Sequence, residues 1–233
     1  MLPFARVEVG SPAERRCRLC RPSSTPVTWR SVADVAAELK EVVSEWTAPV
    51  GPSVLLAGAE PFAHPSLPAI VAAARDAGFE RIGIETDATA LVRGENARGS
   101  LHAGVRHLSA MLFGVGEMGD AMAGAPGASA TALQGIERFV QVAADEHLVV
   151  AVSVVVPVCR HNVEHLPVIV AAAARAGAAR VVLEAAEAVA ESAGPIVAAA
   201  CDTGTVNRAW VEVRGVPLPT THEVHRGGEV LRA

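Results

Sequence analysis

A chain of 233 residues with 51% hydrophobic side chains can bury a substantial core, in one large domain or two small ones, and is neither a fibre nor a disordered chain. A net charge of -5 without a basic run, with 3% aromatics and no tyrosine, argues against a nucleic-acid partner held by backbone charge or base stacking. The opening residues lack the basic-then-apolar order of a signal peptide, and no apolar run approaches the ~20 residues of a membrane span, so the expectation is a soluble, cytoplasmic protein with no membrane contact.

Residues 5–9 read as a first strand. They feed a polar, cationic loop over residues 10–26, broken by Pro12, Pro22 and Pro26, which carries Cys17 and Cys20. Ser31 caps a helix of about 15 residues, with Val32, Val35, Ala36, Leu39, Val42, Val43 and Trp46 on one face. Residues 53–57 form a second, buried strand. A tight turn with an acid follows, Gly58-Ala59-Glu60-Pro61, and then a helix over 66–77 that stops at Gly78. Residues 81–85 are a third strand ending at Thr86 and Asp87. Residues 89–103 read as irregular or as a short helix. Residues 105–112 are a fourth strand, followed by a Gly-rich loop over 113–127. Ser129 opens a helix to about His147.

The fifth strand, 148–156, is almost wholly apolar, as expected when both of its faces are covered. A polar loop over 157–163 leads to a helix over 166–176 and a sixth strand over 180–183. A last helix over 185–201 is interrupted by Gly194-Pro195, and residues 207–213 form a candidate final strand. The tail from about Pro217 is expected to be loose. Strands alternating with helices at roughly 25–45 residues indicate a parallel sheet with right-handed crossovers. The expected fold is α/β: a partial (β/α)6 TIM-like barrel of parallel strands, in one domain over 1–233. Its core spans about 5–184, and a C-terminal helix, short strand and tail cover 185–233.

In such a fold the strand-to-helix loops share one rim, where ligands bind. The polar clusters fall in those loops: Cys17 and Cys20, Glu60, Thr86 and Asp87, Glu117 and Asp120, and Cys159, His161 and Asn162. The stretch over residues 54–70, strand then acidic turn then helix, is the centre of this arrangement.

Taken together, these loops resemble the radical S-adenosylmethionine (radical SAM) superfamily from Arg6 to about Glu184. Gly58-Ala59-Glu60-Pro61 looks like the family's GGEP motif, which holds the methionine amino group. IETDATAL at 84–91, the stretch over 119–136 and VVVPVCRHNVEHLP at 154–167 resemble later strand ends, and VEVRGVPL at 211–218 a terminal strand. The resemblance implies a [4Fe-4S] cluster and SAM as cofactors, with SAM cleaved reductively for radical chemistry on an unknown substrate. It places cofactor contacts at Gly58, Glu60, Asp87 and Asn162, and metal ligands at Cys17 and Cys20. The family's C-x3-C-x2-C loop has its last two cysteines there, but its first position is Ala13, whose methyl cannot ligate iron. Cys159 is the candidate third ligand. The resemblance therefore implies a degenerate member, and two readings stay open. One is a radical SAM enzyme. The other is a non-catalytic pseudoenzyme that binds a peptide or a partner radical SAM enzyme.

Simpler readings of the same residues stand beside these. Cys17 and Cys20 could be plain thiols among arginines, or half of a zinc site with Cys159 and His161. Glu60 could cap the following helix, Asp87 and Asp120 could be solvated loop acids, and His161-Asn162 could form a turn. No histidine pairs with a nucleophile in a catalytic spacing.

Overall fold

The computed structural model describes residues 4–11, 26–188, 191–216, 224–226 and 229–231. Seven parallel strands lie side by side in sequence order: β1 (Ala5–Glu8), β2 (Ser53–Ala57), β3 (Arg81–Thr86), β4 (His107–Met111), β5 (Ala151–Val158), β6 (Arg180–Ala185) and β7 (Trp210–Arg214). Parallel neighbours need a crossover from each strand's end to the next strand's start, and helices supply it. These are α1 (Val32–Ser44), α2 (Leu67–Ala77), α3 (Gly94–Ala103), α4 (Gly116–Ala123) with α5 (Ala128–Asp145), α6 (Leu166–Arg175) and α7 (Gly194–Val206). The strand order never reverses, so every carboxyl end opens on one side. Arg6 of β1 and Arg214 of β7 line one cavity with residues of the strands between them, so the sheet curves around that face into a partial barrel.

Alternation along each strand divides the side chains. Val7, Val54, Leu56, Ile84, Leu108, Val154, Val181 and Leu183 are fully shielded from solvent in the core shared with the helices. That core also takes Val35 and Leu39 of α1, Ile70 of α2, Ile136 and Phe139 of α5, and Ile169 of α6. The opposite parity, Arg6, Glu85, His107, Ser109, Ser153, Arg180 and Glu184, faces the concave lumen.

The candidate final strand over 207–213 forms as β7, pairs with β6 and carries the sheet past Glu184. Three other elements differ from the prediction. The Gly-rich stretch contains α4, because the Asp120 carboxylate on α4 accepts from Gly127 N, Ser129 N and Ser129 Oγ and so clasps the start of α5. The last helix begins at Gly194 rather than being interrupted there: Pro195 sits in the first turn, where its missing N–H is no loss. The expected loose tail contains a short antiparallel hairpin of β8 (Val224–Arg226) and β9 (Glu229–Leu231). At the other end, Ser31 caps α1 as expected, accepting from Asp34 N at 3.1 Å while its hydroxyl donates to the Asp34 carboxylate at 2.7 Å. No helix among the described residues is long and apolar enough to cross a membrane.

Candidate functional site

The turn after β2 is built around Gly58. Its φ of 105° favours glycine, and a Cβ there would lie 2.5 Å from the Gly10 carbonyl oxygen. Ala59 N donates to that same oxygen at 3.4 Å. Gly10 in turn bridges to Trp29, Ser11 N donates to Thr28 O at 2.9 Å and Arg30 N to Val9 O at 3.0 Å. The two ends of the loop that carries Cys17 and Cys20 thus close into a neck against the acidic turn. Ala13, Cys17 and Cys20 themselves lie outside the described residues.

Glu60 opens a single 3-10 turn, Pro61–Ala63, and its side chain spans two strand ends. Oε1 accepts from Phe62 N at 3.2 Å and from Thr86 Oγ1 at 2.6 Å; Oε2 accepts from Asp87 N at 2.9 Å. Burial, helped by the Asp87 charge, raises the Glu60 carboxyl to about 7 against the opposing hydrogen bonds from Thr86, Asp87 and Phe62. The group is close to half-ionised at neutral pH, and Oε2 keeps one acceptor direction. A ligand ammonium there would favour the ionised form.

Asp87 turns back on its own loop, with Oδ1 accepting from Thr89 N at 2.9 Å and Thr89 Oγ1 at 2.7 Å. Ala88 follows in the left-handed region at φ 63°, its N–H held by Thr86 Oγ1 at 2.9 Å. Helix α5 presses against this bend, where a Cβ on Gly135 would overlap the Ala88 carbonyl oxygen. His64 completes the wall: its Nδ1 accepts from Ser66 N at 3.0 Å, which leaves the Nε2 hydrogen to donate to Arg30 O at 3.1 Å.

Asn162 and Cys159 sit across the mouth, after β5, and both are fully buried. Asn162 Oδ1 accepts from Cys159 N at 2.9 Å, and its Nδ2 donates to Phe113 O at 3.0 Å and Pro157 O at 2.8 Å. The amide therefore ties the loop after β5 to the end of β4. The Cys159 thiol is enclosed beneath that clasp and has no exposed surface. His161 is exposed beside Arg160, and the described residues contain no group of three His, Cys, Asp or Glu side chains able to hold a metal ion.

The sequence reading passed over the lumen, though strand alternation marks it: within apolar strands, the polar residues fall on one parity, as with Arg6 and Glu8, His107 and Ser109, and Arg180 and Glu184. A cavity of about 280 Å³ opens there. Arg6 grips Glu85 with Nε at 3.3 Å and a second nitrogen at 3.1 Å, and reaches Glu8 at 2.7 Å. Arg214 pairs with Glu212 at 2.7 Å and Glu184 at 3.8 Å. The His107 ring stacks on Phe4 at 4.8 Å, and burial beside the Arg180 charge lowers it to about 4, so it is neutral.

No family model and no curated protein matches the chain. Solved structures do. Streptococcus suis SuiB bound to S-adenosylmethionine shares the fold at a TM-score of 0.70 and 12% identity, over 91% of this chain and 50% of that one. The same protein has also been solved bound to its precursor peptide SuiA. TsrM from Kitasatospora setae, a radical S-adenosylmethionine methyltransferase solved with cobalamin and a [4Fe-4S] cluster, matches at 0.53 and 14% identity, over 77% of this chain and 36% of that one. The FeFe-hydrogenase maturase HydG from Carboxydothermus hydrogenoformans matches at 0.62 and 12% identity, over 89% and 52%. The chain shares the parallel, TIM-like barrel fold of these structures. This chain spans about half or less of the length of these relatives in fold.

Proposed function

We propose that the chain is a radical SAM-type protein that binds SAM at the mouth of the partial barrel. In this reading Gly58 lets the backbone approach the amino-acid end of SAM, and Glu60 accepts from its ammonium through Oε2. Asp87 receives the ribose hydroxyls, and Asn162 holds the opposite loop in register. Cys17 and Cys20 hold a [4Fe-4S] cluster whose third thiolate is absent at Ala13. The enclosed Cys159 supplies it only if the loop over 159–163 opens. A bound cluster supplies the electron for reductive cleavage of SAM; everything else at the mouth binds and orients.

One observation carries the reading. A carboxyl group raised to about 7 sits at the strand ends, on the turn against which the neck of the cysteine loop closes. The substrate class follows SuiB, whose structure with SuiA supports a peptide.

Anaerobic reconstitution with iron and sulfide, followed by equilibrium dialysis with labelled SAM, tests it. Saturable binding that Glu60→Gln weakens about tenfold is the expected result, the size of one lost charge-assisted hydrogen bond. Absence of SAM binding after reconstitution overturns it. The alternative, a pseudoenzyme that receives a peptide or a partner radical SAM enzyme at the same mouth, is motivated by Ala13. It predicts SAM that is bound yet not consumed under dithionite.

A further inference from the structure

A second cavity, of about 460 Å³, lies at the opposite end of the sheet, where β3, β4, β5 and β6 begin. Its volume is within the usual range of small-molecule sites, roughly 300–1,000 Å³. Three arginines line it: Arg81 at the first residue of β3, Arg106 immediately before β4, and Arg180 at the first residue of β6. No carboxylate does. Phe4, Val150, Val152 and Ala179 give it an apolar wall.

The arginines are fixed in place with donors to spare. Arg81 donates to Ser53 Oγ at 2.7 Å and Gly51 O at 3.0 Å, and Arg106 to Leu101 O at 2.7 Å and Val105 O at 2.8 Å. Each guanidinium has five N–H bonds, so these contacts position it without exhausting it. Among the described residues, neither Arg81 nor Arg106 forms an ion pair. The nearest carboxylate to Arg180 is Glu212, at 3.5 Å from Nε, and Arg214 holds that carboxylate more closely, at 2.7 Å. Arg180 Nε is buried without a hydrogen bond.

Ser153 is in register beside Arg180 and lines the same cavity. It is 5% exposed, and its hydroxyl is free to meet a ligand in the cavity. A buried guanidinium nitrogen without an acceptor, as at Arg180 Nε, is costly unless something accepts from it. Phe4, His107, Ser153 and Arg180 line this cavity and the lumen cavity alike, and His107 adds no positive charge, because burial and Arg180 keep it neutral.

We propose that this cavity binds a small organic anion. The carboxylate or phosphate oxygens of that anion accept from Arg180 and Ser153, the charges of Arg81 and Arg106 balance it, and its apolar part lies against Phe4 and the valines. Guanidinium groups recognise both oxyanions by the same charge-assisted hydrogen bonds. The site is at the amino ends of the strands and needs neither iron nor SAM, so it stands or falls apart from the proposed function.

Titration of the full chain with inorganic phosphate, benzoate and phenyl phosphate at constant ionic strength tests it, by calorimetry and by NMR of the Phe4 and His107 rings. Benzoate or phenyl phosphate is expected to bind saturably, with the tighter probe naming the oxyanion. Arg180→Gln should weaken binding about tenfold and Ser153→Ala about threefold, while Arg98→Gln, on the exposed face of α3, leaves it unchanged. The His107 titration midpoint should rise as the anion saturates. Should Arg180→Gln not fold, Arg180→Lys carries the test by retaining charge while losing the planar fork, with affinity again reduced. No saturable binding of any probe, or binding indifferent to both the Arg180 and Ser153 substitutions, overturns the site.

Discussion

The hydroxyl of Thr86, at the end of β3, donates to the Glu60 carboxylate at 2.6 Å and accepts from Ala88 N at 2.9 Å. One side chain thereby fixes the acidic turn after β2, the end of β3 and the left-handed bend at Ala88. Thr86 is 1% exposed, so water cannot replace either bond. Thr86→Val keeps the shape and loses both. It should cost about 2–3 kcal/mol in chemical denaturation, the sum of two buried hydrogen bonds of which one is to a charged group. The Glu60 carboxyl should rise further, because the Thr86 bond opposes the upward shift. A carboxyl-carbon NMR titration of both forms checks the second point.

Glu60 gives stability a pH dependence of unusual sign. Its carboxyl is raised from 4.5 unfolded to about 7 folded, so between these values the folded state holds the extra proton. The stability it contributes is present below the unfolded value and is lost as pH rises through about 7. A shift of this size corresponds to about 3 kcal/mol across that window. Glu60→Gln should abolish this loss, leaving the variant more stable relative to wild type at pH 8 than at pH 5. Denaturant midpoints measured at the two pH values decide it.

The barrel was legible from the sequence because apolar strands and amphipathic helices alternate, and that pattern depends on burial alone. The acidic turn was legible because glycine at 58 and an acid at 60 serve a local backbone need. What the sequence concealed depended on loops folding back onto later elements and on partners distant in the chain. Asp120 read as a loop acid, yet it clasps the start of α5 through Ser129 and Gly127. Asn162 read as a rim ligand or a local turn, and its amide does bond Cys159 and Pro157 nearby, but it also reaches Phe113 across 49 positions. The lumen charges were hidden differently. Arg6 and Glu85 are 79 positions apart, and only the register of β1, β2 and β3 brings them together.

Asn162 supplies a sharper test of the mouth than either cysteine. Asn162→Ala strands the Cys159 N–H and two backbone carbonyls around a side chain that has no exposed surface. The expected cost is about 3 kcal/mol, or roughly 6–12 °C in Tm for a chain of this size. With the clasp gone, the enclosed Cys159 thiol should become reactive. Mass mapping of alkylated cysteines should find Cys159 protected in wild type and labelled in the variant at temperatures where both are folded.

His107 runs opposite to Glu60. Its ring is lowered from 6.5 unfolded to about 4, first by burial and then by the Arg180 charge, so the folded state holds fewer protons between these values. The stability it contributes is present above the unfolded value and is lost as pH falls through about 4, again by about 3 kcal/mol over the full window. From pH 4.5 to 6.5 the two groups pull in opposite senses, and wild-type stability should be nearly flat. Glu60→Gln should therefore expose a rise with pH in that interval, and His107→Gln a fall. Adding both substitutions should restore a flat profile, since the two groups lie at opposite ends of the barrel and share no partner. Denaturation curves of the four proteins at pH 4.5, 5.5 and 6.5 supply the check, and a flat profile in the Glu60→Gln single variant would contradict the assignment of His107 as a buried neutral ring.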